Sequence, residues 1–327
     1  MEDTKKAIIK TLSFFDLFSF PLTKEELFYY LWQTKVEREI VYSGLAGLID
    51  SKVVEQKNGY YFLRGREEIC EARRIKLLES ELKMKIARSA VAKISCIPFI
   101  KAIFVCNSIA FGLASKDSDI DLFIVTSTKR IWLVRFLSNL SLLLFGLRRI
   151  NLKSVQNRVC LSFYVDEENL NLQNTRAMQE DVYLVYWLAT LLPIYDPENI
   201  RGKIILANSW MKTILPNLPE KLSMYIKEVK NGLVKKSLKI IFQKMWHGGY
   251  GDLMEKQAKE AQLTKMHFSV QSFQNKAPGV IVNDTMLKFH EEDRRKEYYE
   301  RWQAVLKNFK FPISNVKPGP NDQCQNI

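Results

Sequence analysis

Asp119 and Asp121, two positions apart, open a run whose continuation, Leu122–Val125, is wholly apolar. Side chains of an extended strand alternate faces and rise about 3.3 Å per residue, so both carboxylates share one face with Cα atoms about 6.5–7 Å apart. Such a pair can hold a hard, oxygen-loving cation, and Mg²⁺ is commonly bound by one or two carboxylates plus substrate phosphates. Two ions held this way clamp the attacking and leaving oxygens of an in-line phosphoryl displacement. A solvated turn accounts for Lys116-Asp-Ser-Asp119 equally well. It leaves Asp121 unexplained, because a carboxylate inside an apolar strand is costly without a cation or partner.

Eleven residues before Asp119, Ser108 follows Asn107 at the end of an apolar stretch and opens a short expected helix. A hydroxyl and exposed amides at a helix N-terminus form a corner suited to phosphate. Lys116 lies in the loop between corner and acid pair, where a triphosphate contact competes with simple solvation.

Asn107-Ser108, Gly112 and Ser118-Asp119-Ile120-Asp121 occur in that order. The order resembles the signature of the polymerase beta-like nucleotidyltransferase superfamily: a Gly-Ser or Gly-Gly turn, a short helix ending near a Gly, then Ser-Asp-x-Asp entering a hydrophobic strand. The resemblance implies transfer of a nucleoside monophosphate from a nucleoside triphosphate to an acceptor. It also implies Mg²⁺ on Asp119 and Asp121, with substrate contacts from Asn107, Ser108, Gly112, Ser118 and Lys116. Asn107 stands where the family has a turn Gly, and Asn tolerates the left-handed backbone better than other non-Gly residues. The family's third carboxylate has no mid-strand counterpart in Val159–Val165, which offers Cys160, Ser162 and Tyr164 on one face. Either Asp166 at the strand's end serves, or the base is absent and the chain is a weak enzyme or a nucleotide-binding regulator.

These residues need elements to position them. Residues 1–65 read as three helices (Ala7–Phe20, Thr23–Trp32 and Val36–Ser51) and a hairpin, Val53–Gln56 and Tyr60–Leu63, turning at Asn58-Gly59. Thr23 and Glu26 form a capping box. The pattern looks like a winged helix. Its expected recognition helix carries Glu37, Arg38, Glu39, Asp50 and Lys52, a sum of −1. Phosphate contacts need surplus cations, so a structural or protein-contact role is favoured over DNA binding. Residues 66–92 read as a charged connector helix, and 93–168 as a nucleotidyltransferase-type mixed sheet with flanking helices. Residues 169–310 read as a helical domain and 311–327 as a loose tail. The fold class is α+β.

The 327 residues carry 49 Lys+Arg against 36 Asp+Glu, a formal net charge of +13, and 47% are hydrophobic. That composition excludes collagenous, low-complexity and wholly disordered classes. Five scattered cysteines fit neither a zinc ribbon nor a secreted disulfide framework, and suit a reducing cytosol. The stretch Ile131–Leu147 contains Arg135 and Asn139 and falls short of the ~20 residues a bilayer requires, so no membrane partner is expected. Lys221–Lys244 holds seven lysines and one glutamate, which makes it the tract for a polyanionic partner such as RNA. Trp187, Trp210, Trp246 and Trp302 read as fillers of helix–helix contacts, and the three histidines have no metal spacing.

Overall fold

The apolar runs around the acid pair become inner strands of a six-stranded mixed sheet in the computed structural model, which describes residues 1–149, 156–219, 227–266, 279–290 and 292–309. In chain order the elements begin with α1 (Glu2–Asp16), β1 (Leu22–Thr23), α2 (Lys24–Tyr29), α3 (Arg38–Asp50), β2 (Val54–Lys57) and β3 (Tyr60–Leu63). Then come α4 (Ile69–Ile94), β4 (Ile100–Val105), α5 (Asn107–Ala110), β5 (Ile120–Thr126), α6 (Ile131–Leu144) and β6 (Val159–Asp166). The remainder is α7 (Val182–Ala189), β7 (Leu192–Tyr195), α8 (Ile200–Ala207), α9 (Leu233–Met245), α10 (Gly248–Met266), β8 (Val280–Val282), β9 (Met286–Phe289) and α11 (Arg295–Lys307).

The N-terminal elements follow the local chemistry. Thr23 caps α2 as expected: its hydroxyl accepts from the Glu26 amide at 3.2 Å, and the Glu26 carboxylate accepts from the Thr23 amide at 2.9 Å. Asn58 and Gly59 both take positive φ, the backbone that a two-residue hairpin turn demands. β1 adds to this hairpin, giving an antiparallel sheet of order β1-β3-β2. The unit is not a free lobe. Phe14 stacks on Tyr186 of α7 with ring centroids 4.6 Å apart, and Trp302 of α11 donates to the Lys10 carbonyl at 2.9 Å.

The central sheet runs β7-β4-β5-β6-β9-β8, with β5 and β6 parallel and the other pairs antiparallel. Alternation along β5 divides the core in two. Phe123 and Val125 pack with α7, α8, α11 and the N-terminal helices, whereas Leu122 and Ile124 pack with α4, α6 and α10.

Two expectations of the fold need amending. Residues 169–310 are not simply helical, since they contribute β7, β8 and β9 to the central sheet. Helix α7 ends at Ala189, ahead of Pro193 in β7, and the β8–β9 hairpin precedes α11. In the lysine tract α9 begins at Leu233, and in the described residues just before it the Val229 amide donates to the Ile194 carbonyl at 2.7 Å. Strict alternation along β6 also fails. The register passes from Asp121↔Cys160 to Phe123↔Phe163, so β6 holds one extra residue, a bulge. Phe163 and Val165 therefore face α7, while Leu161 and Tyr164 face α4 and α6.

No helix among the described residues is long and apolar enough to cross a membrane; α6 ends at Leu144, ahead of Gly146 with φ 63°. Residues 310–327, with the expected tail, lie outside the described residues, as do Lys221 and its neighbours to 226.

Candidate metal centre

Alternation along β5 puts Asp121 on the α7 side of the sheet with Phe123, and Asp119, just before the strand, converges on it. One carboxylate oxygen of Asp119, one of Asp121 and the Cys160 sulfur lie within 4.8 Å of one another, and all three residues are half-buried. Cys160 arrives because β6 runs parallel to β5 with Cys160 directly opposite Asp121.

The turn after β4 supplies the next layer. Asn107 has φ 54°, the left-handed backbone expected of a Gly substitute. Its Nδ2 donates to Asp121 Oδ2 at 2.9 Å. Its Oδ1 accepts from Trp187 Nε1 at 2.9 Å and from the Tyr183 hydroxyl at 3.4 Å. Asn107 is thereby a clamp on the acid rather than only a turn residue, and Trp187 is more than a filler between helices. Ser108 stands half-buried at the start of α5, its carbonyl accepting from the Leu113 amide at 2.7 Å. Gly112 has φ 70°, which an L side chain adopts only with strain.

The loop into β5 is pinned from behind by Lys83 of α4, whose exposure is 1%. Its ammonium donates to the Lys116 carbonyl at 3.0 Å, the Ser118 carbonyl at 2.8 Å and Asn157 Oδ1 at 3.0 Å. Burial pulls the Lys83 ammonium below its ordinary pKa. The Ser118 hydroxyl turns back to the Ser115 carbonyl at 2.9 Å, and the Lys116 side chain is exposed.

Asp166 is not part of this centre. It pairs with Thr126 at the far end of β5, five residues from Asp121 and so about 16 Å away along the strand. There it is 1% exposed, and its Oδ1 accepts from the Glu168 amide at 3.1 Å and from Asn169 Nδ2 at 2.7 Å, which is a turn-closing role. The expectation of Asp166 as third acid fails because it follows the strand's end rather than its start.

Two participants escaped sequence reasoning. Cys160 carries no charge and so does not match the pattern of a third carboxylate. Arg149, remote from the motif, forms an ion pair with Asp119. Arg130 and Arg135, by contrast, are engaged structurally, with Asp252 at 2.8 Å and Gln262 at 2.6 Å. Of the lysine tract, Lys235 donates to the Ala92 carbonyl and Lys239 to the Ile100 carbonyl, both at 2.6 Å, so these two hold α9 to the body; Lys236 and Lys244 are exposed.

Electrostatics sharpen the centre. Burial, and secondly the neighbouring Asp119 charge, push the Asp121 carboxyl up to about 6. Burial, and then the same two carboxylates, raise the Cys160 thiol to about 12. Both groups therefore favour their protonated forms until a positive charge offsets the burial. Beside Asn107 opens a cavity of about 150 Å³ lined by Tyr183, Trp187, Lys288, His290 and Arg295. That volume lies below the range of about 300–1,000 Å³ for clefts that enclose a drug-sized ligand.

No family model, no curated protein and no solved structure matches the chain.

Proposed function

We propose that this protein is a divalent-metal-dependent nucleotidyltransferase that moves a nucleoside monophosphate from a nucleoside triphosphate to an acceptor. On this reading residues 1–65 are a winged helix docked for structural contact, the central sheet is of nucleotidyltransferase type, and the protein works in the cytoplasm. The observation that carries it is the meeting of Asp119 and Asp121 on one sheet face, with Asn107 of the preceding turn bonded to Asp121.

The donor set fits a divalent cation, because two carboxylates converge and Asn107 occupies only one oxygen of Asp121. Asp119 and Asp121 would hold the metal, which when bound supplies charge stabilisation for the phosphates. Asn107 and Ser108 would orient the triphosphate, Gly112 and Ser118 would shape its loop, and Lys116 would meet the outer phosphates from solvent. The acceptor oxygen forms a bond to the α-phosphorus as the bond to pyrophosphate breaks, and the acceptor proton passes to solvent. A positioned base ordinarily contributes 10²–10⁴-fold, so turnover without one is slow. Lys236 and Lys244 favour a polyanionic acceptor, RNA among them.

The test is incubation with α-labelled nucleoside triphosphates and Mg²⁺ or Mn²⁺. Label transfer is expected, and Asp121→Asn is expected to abolish it; transfer that survives this substitution removes the mechanism. The Asp119–Arg149 ion pair favours a second reading, a nucleotide-binding regulator. Stabilisation by a nucleoside triphosphate without transfer would select it.

A further inference from the structure

The register of two parallel strands brings an unexpected donor to the centre. Asp121 and Cys160 are directly paired between β5 and β6, and the Cys160 sulfur lies within 4.8 Å of a ligand oxygen on each aspartate. A cation placed among all three atoms would meet sulfur as well as oxygen. Mg²⁺ takes oxygen ligands in a near-ideal octahedron, and a sulfur in its sphere contributes nothing. Borderline cations such as Co²⁺ and Zn²⁺ accept carboxylate oxygen and thiolate together. Three protein ligands with a remaining open position is also the arrangement of catalytic rather than structural zinc-type sites.

A second layer keeps these ligands in place. Asn107 Nδ2 orients Asp121 through Oδ2 at 2.9 Å, and Trp187 Nε1 fixes Asn107 at 2.9 Å. Partners that orient a ligand in this way typically alter metal affinity 10–100-fold. Arg149, paired with one oxygen of Asp119, supplies a positive charge at the same acids.

We infer that Asp119, Asp121 and Cys160 form a two-carboxylate, one-thiolate site selective for a borderline divalent cation over Mg²⁺. This deepens the proposed function and rests on the same centre. On binding, the sulfur–metal bond forms as the S–H bond breaks, and the proton leaves to solvent, one for each ion held.

The experiment is Co²⁺ titration of the full chain without nucleotide, following sulfur-to-cobalt charge-transfer absorption in the near ultraviolet. Wild type and Cys106→Ser, which removes the neighbouring thiol, are expected to show the band. Cys160→Ser should lose it and bind Co²⁺ more than about tenfold more weakly, at least the loss caused by removing a ligand's partner. Cys160→Asp should lose the band and lower the excess of Mg²⁺ needed to displace Co²⁺ by more than about tenfold. A missing band in wild type, a band that persists in Cys160→Ser, or equal Mg²⁺ displacement in wild type and Cys160→Asp each overturns the site. The measurement is independent of label transfer, so a thiolate-bound metal without transfer defeats only the proposed function, and transfer without the band defeats only this inference.

Discussion

At the scale of the residue, Asp121 sits in conflict with its surroundings. Its folded-state value, about 6, lies above the ordinary 3.8. The stabilising contribution of its protonated form is fully present below about 3.8 and is lost as pH rises through about 6. Asp121→Asn is therefore expected to melt higher than wild type near pH 7.5, and the advantage should vanish near pH 4. At roughly 1.4 kcal/mol per unit, discounted for partial exposure, the gain is about 1–3 kcal/mol. Thermal denaturation of both proteins at the two pH values checks this, and a lower melting point for the variant at pH 7.5 would contradict it. His290 behaves oppositely. Burial, and then Lys288, lower its imidazole to about 4, so its contribution is present above about 6.5 and is lost as pH falls through 4. Measuring His290→Gln across this window should show a flatter acid limb than wild type.

At the scale of the element, α4 does more than connect. Its Lys83 gathers the carbonyls of Lys116 and Ser118 together with Asn157, and so holds the loop that delivers Asp119. Lys83→Met keeps the bulk but strips these acceptors of their donor, at about 1–3 kcal/mol for each group left unsatisfied in a buried place. Limited proteolysis should then cut within residues 115–118 faster than in wild type; an unchanged rate would show that the loop holds itself. Nothing in the sequence foretold this role, because a lysine among other charges on a long helix reads as solvated. The convergence of the acid pair was legible, since a charge inside an apolar strand, as Asp121 is, admits few explanations. Thr23–Glu26 and Asn58-Gly59 were legible for the same reason: each is a local bond pattern. The bulge in β6 was not, because it depends on the partner strand, and with it went the correct face of Phe163 and Tyr164.

At the scale of the whole molecule, the segments that looked separable share one interior. Phe123 and Phe163, 4.8 Å apart between centroids, meet Trp187 from α7 on the same side of the sheet as Phe14 and Tyr186. A fragment of residues 93–168 exposes those rings and is expected to precipitate or to melt without cooperativity. A soluble fragment with a sharp calorimetric transition would sink that expectation. The α+β class was readable from the alternation of apolar runs. The joining of distant strands was not, since β7, β8 and β9 are three or four residues long and acquire their conformation from neighbours far away in the chain.

The borders of the central sheet carry a last consequence. One border, Leu192–Tyr195, includes Pro193, which has no amide hydrogen to offer; the other, Val280–Val282, spans three residues. A passing polypeptide finds few unpaired backbone groups on either margin and little length to zip along. A protein whose hydrophobic strands lie sealed between such blunt margins is guarded against amyloid-like stacking, even when it is crowded at high concentration.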